Sequence, residues 1–334
     1  MGQTGERRRR RWSSTATALT VVGVLLLVLA GAGLGTLLWF QRSLGHNIER
    51  LGDPFAEVSN RPVAASQPAT SSYEAMNVLV LGSDSRISAG DPSQWQAGAQ
   101  RTDAIMLIHI PADRQAAQVI SIPRDSWVPI PGHGEAKINA AFSYGGPALM
   151  IQTVEDLTGV HIDHFVVTDF TSFTSMTDAL GGVELVPGAA EYTGAQALEY
   201  VRERYNLPGG DFDRVQRQQN WMRAILSKVN ANRSDVMQMA AFMTIVSKSV
   251  AADDGFTIDL MRGLLMSSRD IGPGDVTFLT APYSGTGRSA DGQSIVLLDR
   301  GRFDPLMAAV ASDTSSDYVA AHEDSLTVLG WTVR

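Results

Sequence analysis

The chain has no cysteine in its 334 residues. A domain of this size builds an adequate core without disulfides, so the absence is compatible with an exported protein. It also leaves any zinc chemistry to histidines and carboxylates alone. Two nucleotide and acyl-transfer signatures are missing as well. There is no P-loop, and Ser83 and Ser85 flank Asp84 instead of sitting between the spaced glycines of a G-x-S-x-G elbow. Basic charge is scarce beyond the N-terminus. Without the first fifteen residues, which hold five arginines and one glutamate, 22 basic residues face 34 acidic ones, a net charge of −12. A nucleic-acid partner wants a basic face, so no nucleic acid is expected. No internal repeat is visible.

What the sequence does have is one long apolar run. Five arginines, Arg7 to Arg11, precede an uncharged stretch from Trp12 to Phe40. From Ala16 to Phe40 that stretch would rise roughly 37 Å as a helix, enough for a hydrocarbon core of about 30 Å. Clustered arginines mark the cytoplasmic flank, which puts the rest of the chain outside. The run exceeds a signal-peptide core of about 7–15 residues, and no A-x-A site follows, so a retained anchor is preferred to a cleaved signal. The expected organisation is a cytoplasmic basic tail (1–15), a transmembrane helix (16–40), an extracytoplasmic stalk (41–72) and a catalytic domain (73–334). The protein is expected at the cell membrane, single-pass, in contact with membrane lipid. A stalk of this length has a random-coil span of about 30 Å.

Within the domain, apolar runs predict strands at 77–81, 104–110, 118–122, 165–168, 183–186, 276–279 and 294–298. Helical spacing covers 147–158, 171–180, 194–201, 214–230, 235–250 and about 303–312. Gly159 and Gly181-Gly182 are C-terminal stops for two of these helices. Short buried strands interleaved with helices predict an α/β fold, a three-layer α-β-α domain around a central mixed sheet.

Charge gathers where strands meet loops, which is where open α/β sheets bind ligands. One loop carries Asp84 and Arg86, a second Arg101 and Asp103, and a third, SIPRD, carries Arg124. Farther on, YVRERYNLPGGDFDRVQRQQ holds Arg202, Arg204, Arg214, Arg217 and Gln218. Two aspartates on separate loops suit one Mg²⁺ ion, which takes one or two carboxylates plus water and phosphate oxygens. Arginines offer forked donors that match phosphate, and in an acidic domain a pyrophosphate would be their counter-charge. Each residue also has a structural reading. Arg202 and Arg204 lie two apart and face different sides of a helix, Arg214 and Arg217 can pair with Asp211 or Asp213, and Asp84 can close an Asx turn. His161 and His164 lack the i,i+4 spacing of a helical zinc pair and lead into a strand, so they are read as structural.

The blocks NVLVLGSDSR, RTDAIMLIHI, SIPRDSWVPIPG, KINAAFSYGGP, DALGGVEL and VRERYNLPGGDFDRVQRQQ resemble, in that order, the LytR-CpsA-Psr family. The resemblance is strong from Met76 to Trp221 and looser to about Ser312. It implies a phosphotransferase that moves a glycopolymer from a polyprenyl-pyrophosphate carrier onto peptidoglycan, leaving a phosphodiester. Carried over, it implies Asp84 and Asp103 as Mg²⁺-associated aspartates and Arg124 as the arginine of the S-I-P-R-D block. Arg202 and Arg204 match its R-x-R pair, and Arg214, Arg217 and Gln218 its D-x-x-R-x-x-R-Q segment. Arg86, Arg101 and Lys137 fall in the same blocks. Under this reading Asp84, Asp103 and Arg124 are catalytic, the basic residues and Gln218 bind pyrophosphate, and an apolar groove must exist for the lipid. Two alternatives remain open here: water as acceptor, which makes a polyprenyl-pyrophosphate phosphatase, or a non-catalytic envelope sensor that binds a lipid-linked glycan.

Overall fold

The computed structural model describes residues 43–83, 102–203 and 207–333, without the side chains of 169–172. The expected tail and transmembrane helix therefore lie outside the described residues, as do Asp84, Arg86, Arg101 and Arg204. Among the described residues no helix is long and apolar enough to cross a membrane. A compact unit spans Asn47–Arg334.

Its centre is a mixed sheet of eight strands, in the order β1-β8-β7-β2-β3-β4-β9-β12. These are β1 (Glu49–Arg50), β2 (Met76–Ser83), β3 (Thr102–Ile110), β4 (Ala117–Ser121), β7 (His164–Asp169), β8 (Val250–Ala252), β9 (Val276–Thr280) and β12 (Thr327–Val328). The central strands are apolar at nearly every position because both faces are covered. Leu79, Leu81, Ile105, Leu107 and Ile120 point to one face. There they meet α1 (Asn139–Thr158), α7 (Arg300–Ala311) and α8 (Ser315–His322) through Phe142, Met150, Phe303, Leu306 and Val319. Their alternates Met106, Ile108 and Val119 point to the other face, where Met222 of α4 (Asp211–Ala231) packs. Val78 and Val166 meet Ile258 and Met261 of α6 (Ile258–Ser267). The remaining helices are α2 (Phe170–Ala179), α3 (Gly194–Arg202) and α5 (Val236–Ser249). Two hairpins, β5–β6 (Trp127–Ile130 with Gly134–Lys137) and β10–β11 (Tyr283–Arg288 with Ser294–Leu298), stand outside the main sheet.

Three sequence expectations differ from the structure. Residues 47–62, expected in a stalk, pack onto the unit. β1 pairs in parallel with β8, Ile48 and Leu51 are buried, and Arg61 forks onto the buried Glu155 at 2.8–3.1 Å. A two-residue strand and isolated apolar residues leave no periodicity to read. Residues 183–186 make only an isolated bridge, Val183 with Tyr192, although Val183 and Leu185 are buried in a satellite cluster. An apolar run reports burial, not pairing. Finally, 294–298 is a strand but belongs to the outer hairpin, since its partner YSGTGR has two glycines and no apolar alternation.

His161 and His164 have structural partners. His161 Nδ1 lies 2.9 Å from the Pro62 carbonyl, and His164 stacks on Phe256 with its Nδ1 3.2 Å from Asp253. The buried Asp253 carboxylate also accepts from the backbone N–H groups of Phe165 (2.9 Å) and Phe256 (3.0 Å). It thereby closes the junction of β7 and β8. Burial alone would raise its pKa, but the His164 hydrogen bond and the two amides outweigh burial and hold it below the usual range. Asp253→Ala leaves those donors unsatisfied and should cost about 3 kcal/mol in urea unfolding. Because the folded carboxyl is the stronger acid, its stabilising contribution is complete above the ordinary carboxylate pKa of about 4 and lost as pH falls through the lowered value. The gap between parent and Asp253→Asn should therefore shrink in acid.

Candidate active site

The antiparallel register of β3 and β4 pairs Met106 with Ser121, so the start of β3 and the end of β4 share one edge. Asp103 stands on the first and Arg124 just beyond the second. The first turns of α4 reach the same edge, held there by a buried amide. Gln219 Nε2 donates to Ser121 Oγ and the Leu279 carbonyl, both at 2.9 Å. A polar group on a buried helix face is costly unless bonded, and these contacts satisfy the amide nitrogen while Gln219 Oε1 stays buried without a hydrogen-bond partner.

At this edge Arg124 Nη1 forms an ion pair with Asp103 Oδ1. The buried Arg214 lies against the same aspartate, Nη1 3.9 Å from Oδ1 and Nη2 donating to its carbonyl at 3.4 Å. Arg214 Nη2 also pairs with Asp211 at 2.9 Å, and that carboxylate is 3.8 Å from Arg124 Nη2. Asp125 holds Lys137 at 3.0 Å and stands 3.9 Å from Arg124 Nε. The cluster is therefore a lattice of alternating charge. Arg124 Nε and the hydroxyls of Thr102 and Ser126 are buried without a hydrogen-bond partner. Of these, only Arg124 Nε is shown against the lattice, 3.9 Å from Asp125 Oδ2.

The structure thus brings Asp103, Arg124 and Arg214 together and attaches Lys137 through Asp125. Arg217 turns toward α3, with its guanidinium 4.4 Å over the Tyr200 ring and Nη1 donating to the Tyr200 carbonyl at 3.1 Å. Arg202, in the last turn of α3, is exposed. Gln218 is buried and lines a cavity rather than the ion lattice. Sequence reasoning did not assign Asp211, Asp125 or Gln219 to the site. Only Asp211 carried a signal, its i,i+3 spacing from Arg214.

The cavity is about 500 Å³ and almost wholly apolar. Gln218, Met222, Ile225 and Val229 of α4 form one wall, Phe242 and Val246 of α5 another, and Ala104 and Met106 of β3 belong to the sheet side. Ala104 follows Asp103, and Gln218 stands one helical turn after Arg214. The apolar space thus begins where the charge lattice ends.

For a metal, the donors at hand are carboxylate oxygens, which suit a hard cation such as Mg²⁺ and not zinc. Among the described residues no three acidic or histidine side chains are gathered for an ion. Asp103, expected to hold one, is paired with Arg124, and Asp84, its expected partner, lies outside the described residues.

The LytR_cpsA_psr family matches residues 55–188 and 184–311. Among individual relatives, the probable cell wall biosynthesis protein LcpB of Corynebacterium glutamicum is 40% identical over 189 residues, 50% of this chain and 45% of LcpB. The chain thus spans about half the length of LcpB. The polyisoprenyl-teichoic acid–peptidoglycan teichoic acid transferase TagU of Enterococcus faecalis is 30% identical over 260 residues, 74% of this chain and 80% of TagU. In fold the chain is similar to TagT bound to LIIa-WTA, with a TM-score of 0.59 at 23% identity over 77% of this chain and 97% of TagT. Matched across most of the described unit, the chain belongs to the LytR_cpsA_psr family.

Proposed function

We propose that this protein transfers a glycopolymer with its phosphate from a polyprenyl-pyrophosphate carrier to a peptidoglycan hydroxyl, at the outer face of the cell membrane. The observation that carries the reading is the apolar cavity opening beside the charge lattice. A polyprenyl pyrophosphate has the same two-part character, and few other ligands need a cavity of about 500 Å³ lined by Met222, Ile225 and Phe242 next to arginines. The name of TagU as a teichoic acid transferase and the complex of TagT with LIIa-WTA support the same class of donor. The apolar run at 16–40 fits a protein that works where a lipid carrier presents its headgroup.

In this mechanism Arg124 and Arg214 exchange part of their pairing with Asp103 and Asp211 for pyrophosphate oxygens, and Lys137 moves positive charge toward the same place. Arg202 and Arg217 would extend the basic surface at α3, and Arg204, outside the described residues, has the role that the resemblance implies. The acceptor oxygen attacks the sugar-side phosphorus, the bond from that phosphorus to the bridging oxygen breaks, and polyprenyl phosphate leaves with the electron pair. The hydroxyl proton passes to a carboxylate, which we assign to Asp84, since a guanidinium is too weak a base. Asp84 and Asp103 would hold Mg²⁺, which when bound adds positive charge against the pyrophosphate.

The test is the full chain in lipid nanodiscs with a lipid-linked glycan, with and without peptidoglycan. Covalent polymer should form only with acceptor and Mg²⁺, and Arg124→Ala should lower turnover about 10²–10³-fold. Equal phosphate release without acceptor would instead make the protein a phosphatase, and full activity of Asp84→Ala/Asp103→Ala would end the metal assignment. The cavity has its own prediction. Val229→Trp, at the far end from Gln218, should weaken long polyprenyl donors by about tenfold or more in titration while a geranyl analogue binds as before.

A further inference from the structure

The charge lattice has a second neighbour that the transfer reading leaves unused. Phe212, in the first turn of α4 between Asp211 and Asp213, stacks on Tyr283 at the start of β10, with ring centroids 4.0 Å apart and planes 7° from parallel. Both residues are half-buried. Their position is tied to the site from two directions. Asp211 is the carboxylate shared by Arg214 and Arg124. The hairpin that begins with Tyr283 reaches the Arg124 loop through Val296, whose N–H donates to the Asp125 carbonyl at 2.9 Å and which bridges to Ser126. Asp213 stands beside the stack, and burial together with its charge pushes the Tyr283 phenol up, so the hydroxyl remains a donor at neutral pH.

Direction decides what this stack can serve. Along α4 the order is Phe212, then Arg214, then Gln218, then the cavity walls to Val229. Displacement at phosphorus brings the attacking oxygen in opposite the leaving oxygen. If the leaving polyprenyl phosphate extends toward Val229, the attacking hydroxyl must arrive from the Phe212 end. Flat rings with a phenol and a carboxylate at their rim suit a sugar, whose C–H faces pack on aromatics and whose hydroxyls need polar partners.

We propose that the Phe212–Tyr283 stack is the acceptor subsite, binding a polysaccharide strand that presents a free hydroxyl to the phosphorus held at Arg124. The proposal rests on the transferase reading for its chemistry but predicts its own binding site. In the nanodisc assay, Phe212→Ala and Tyr283→Leu should each raise the acceptor KM about tenfold while the donor dissociation constant stays at the parental value. Tyr283→Phe keeps the stack and should stay within about threefold. An unchanged donor constant also reports that each variant is folded. An unchanged acceptor KM in Phe212→Ala and Tyr283→Leu, or donor binding that weakens in parallel, overturns the subsite. Line broadening of a soluble peptidoglycan glycan strand by the parent, lost in Tyr283→Leu, reads the subsite without turnover. A parent that binds the strand but transfers nothing sinks the transferase reading and leaves the subsite standing; a strand that the parent does not broaden sinks the subsite.

Discussion

The ion pair of Asp103 with Arg124, backed by Arg214, joins three parts of the chain that are far apart in sequence. β3 supplies the acid, the loop after β4 one base, and α4 the other. Arg214 is only 2% exposed, and a guanidinium taken so far out of water is tolerable only with a counter-charge and hydrogen bonds around it. Asp103 and Asp211 provide that counter-charge. The consequence reaches beyond local stability. Basic groups packed this closely repel one another, and the carboxylates interleaved with them offset that repulsion while leaving the ion pairs exchangeable. The same acids hold the cations in place by pairing with more than one of them, Asp103 with Arg124 and Arg214, and Asp211 with Arg214 and Arg124. Charge balance at this edge is what keeps three cations together at a partly buried position.

The two faces of the sheet solve opposite problems. On the face of Leu79, Leu107 and Ile120, helices α1, α7 and α8 fill the space with Phe142, Phe303 and Met150, all fully buried. On the other face α4 and α5 stand over the sheet and leave about 500 Å³ lined almost entirely by carbon. Protein interiors are packed as densely as organic crystals, and an apolar void forfeits dispersion contacts that its lining would otherwise make. An apolar surface left unfilled in this way costs stability relative to one packed as the opposite face is. The tightly packed face supplies the rigidity that the open face lacks.

Legibility in the sequence followed the same division. NVLVL and RTDAIMLIHI announced β2 and β3 because strands covered on both faces are apolar at every position, and Gly159 and Gly181-Gly182 marked helix ends because they take positive φ. The kink before Pro147, where Gly146 adopts φ 65°, explains why helical spacing was visible only from Pro147 although α1 begins at Asn139. The site was half legible. Arg124, Asp103 and Arg214 stood out as charge beside strand ends, and Asp211 as a helical partner of Arg214, whereas the contacts of Asp125 with Lys137 and of Asp211 with Arg124 join segments whose approach only the fold shows. Arg217 carries a contact that the motif does not announce, its guanidinium over the Tyr200 ring. The lining of the cavity was illegible because its walls come from eight elements, β2, β3, β7, β8 and α2 to α5, none contributing more than the apolar face of one helix or strand.

One helix unites the two chemistries, and its geometry explains the spacing of its residues. At about 100° per residue, Arg214, Gln218, Met222, Ile225 and Val229 fall within a sector of about 80°. The stripe is polar for its first turns and apolar thereafter, so it faces one continuous space whose character changes along roughly 22 Å of helix axis. A ligand with an ionic head and a hydrocarbon tail matches that change, and a uniformly polar or uniformly apolar one does not. Gln219 lies outside the stripe, and its bonds to Ser121 and Leu279 set the rotation of the whole helix. An inserted residue between Arg214 and Met222 would turn the cavity wall by about 100° away from the arginines while leaving every side chain present. The character of α4 is therefore a phase relation as much as a set of residues, and Gln219 holds that phase against the sheet together with Asn220, bonded to the Leu185 carbonyl, and Trp221, bonded to Thr177.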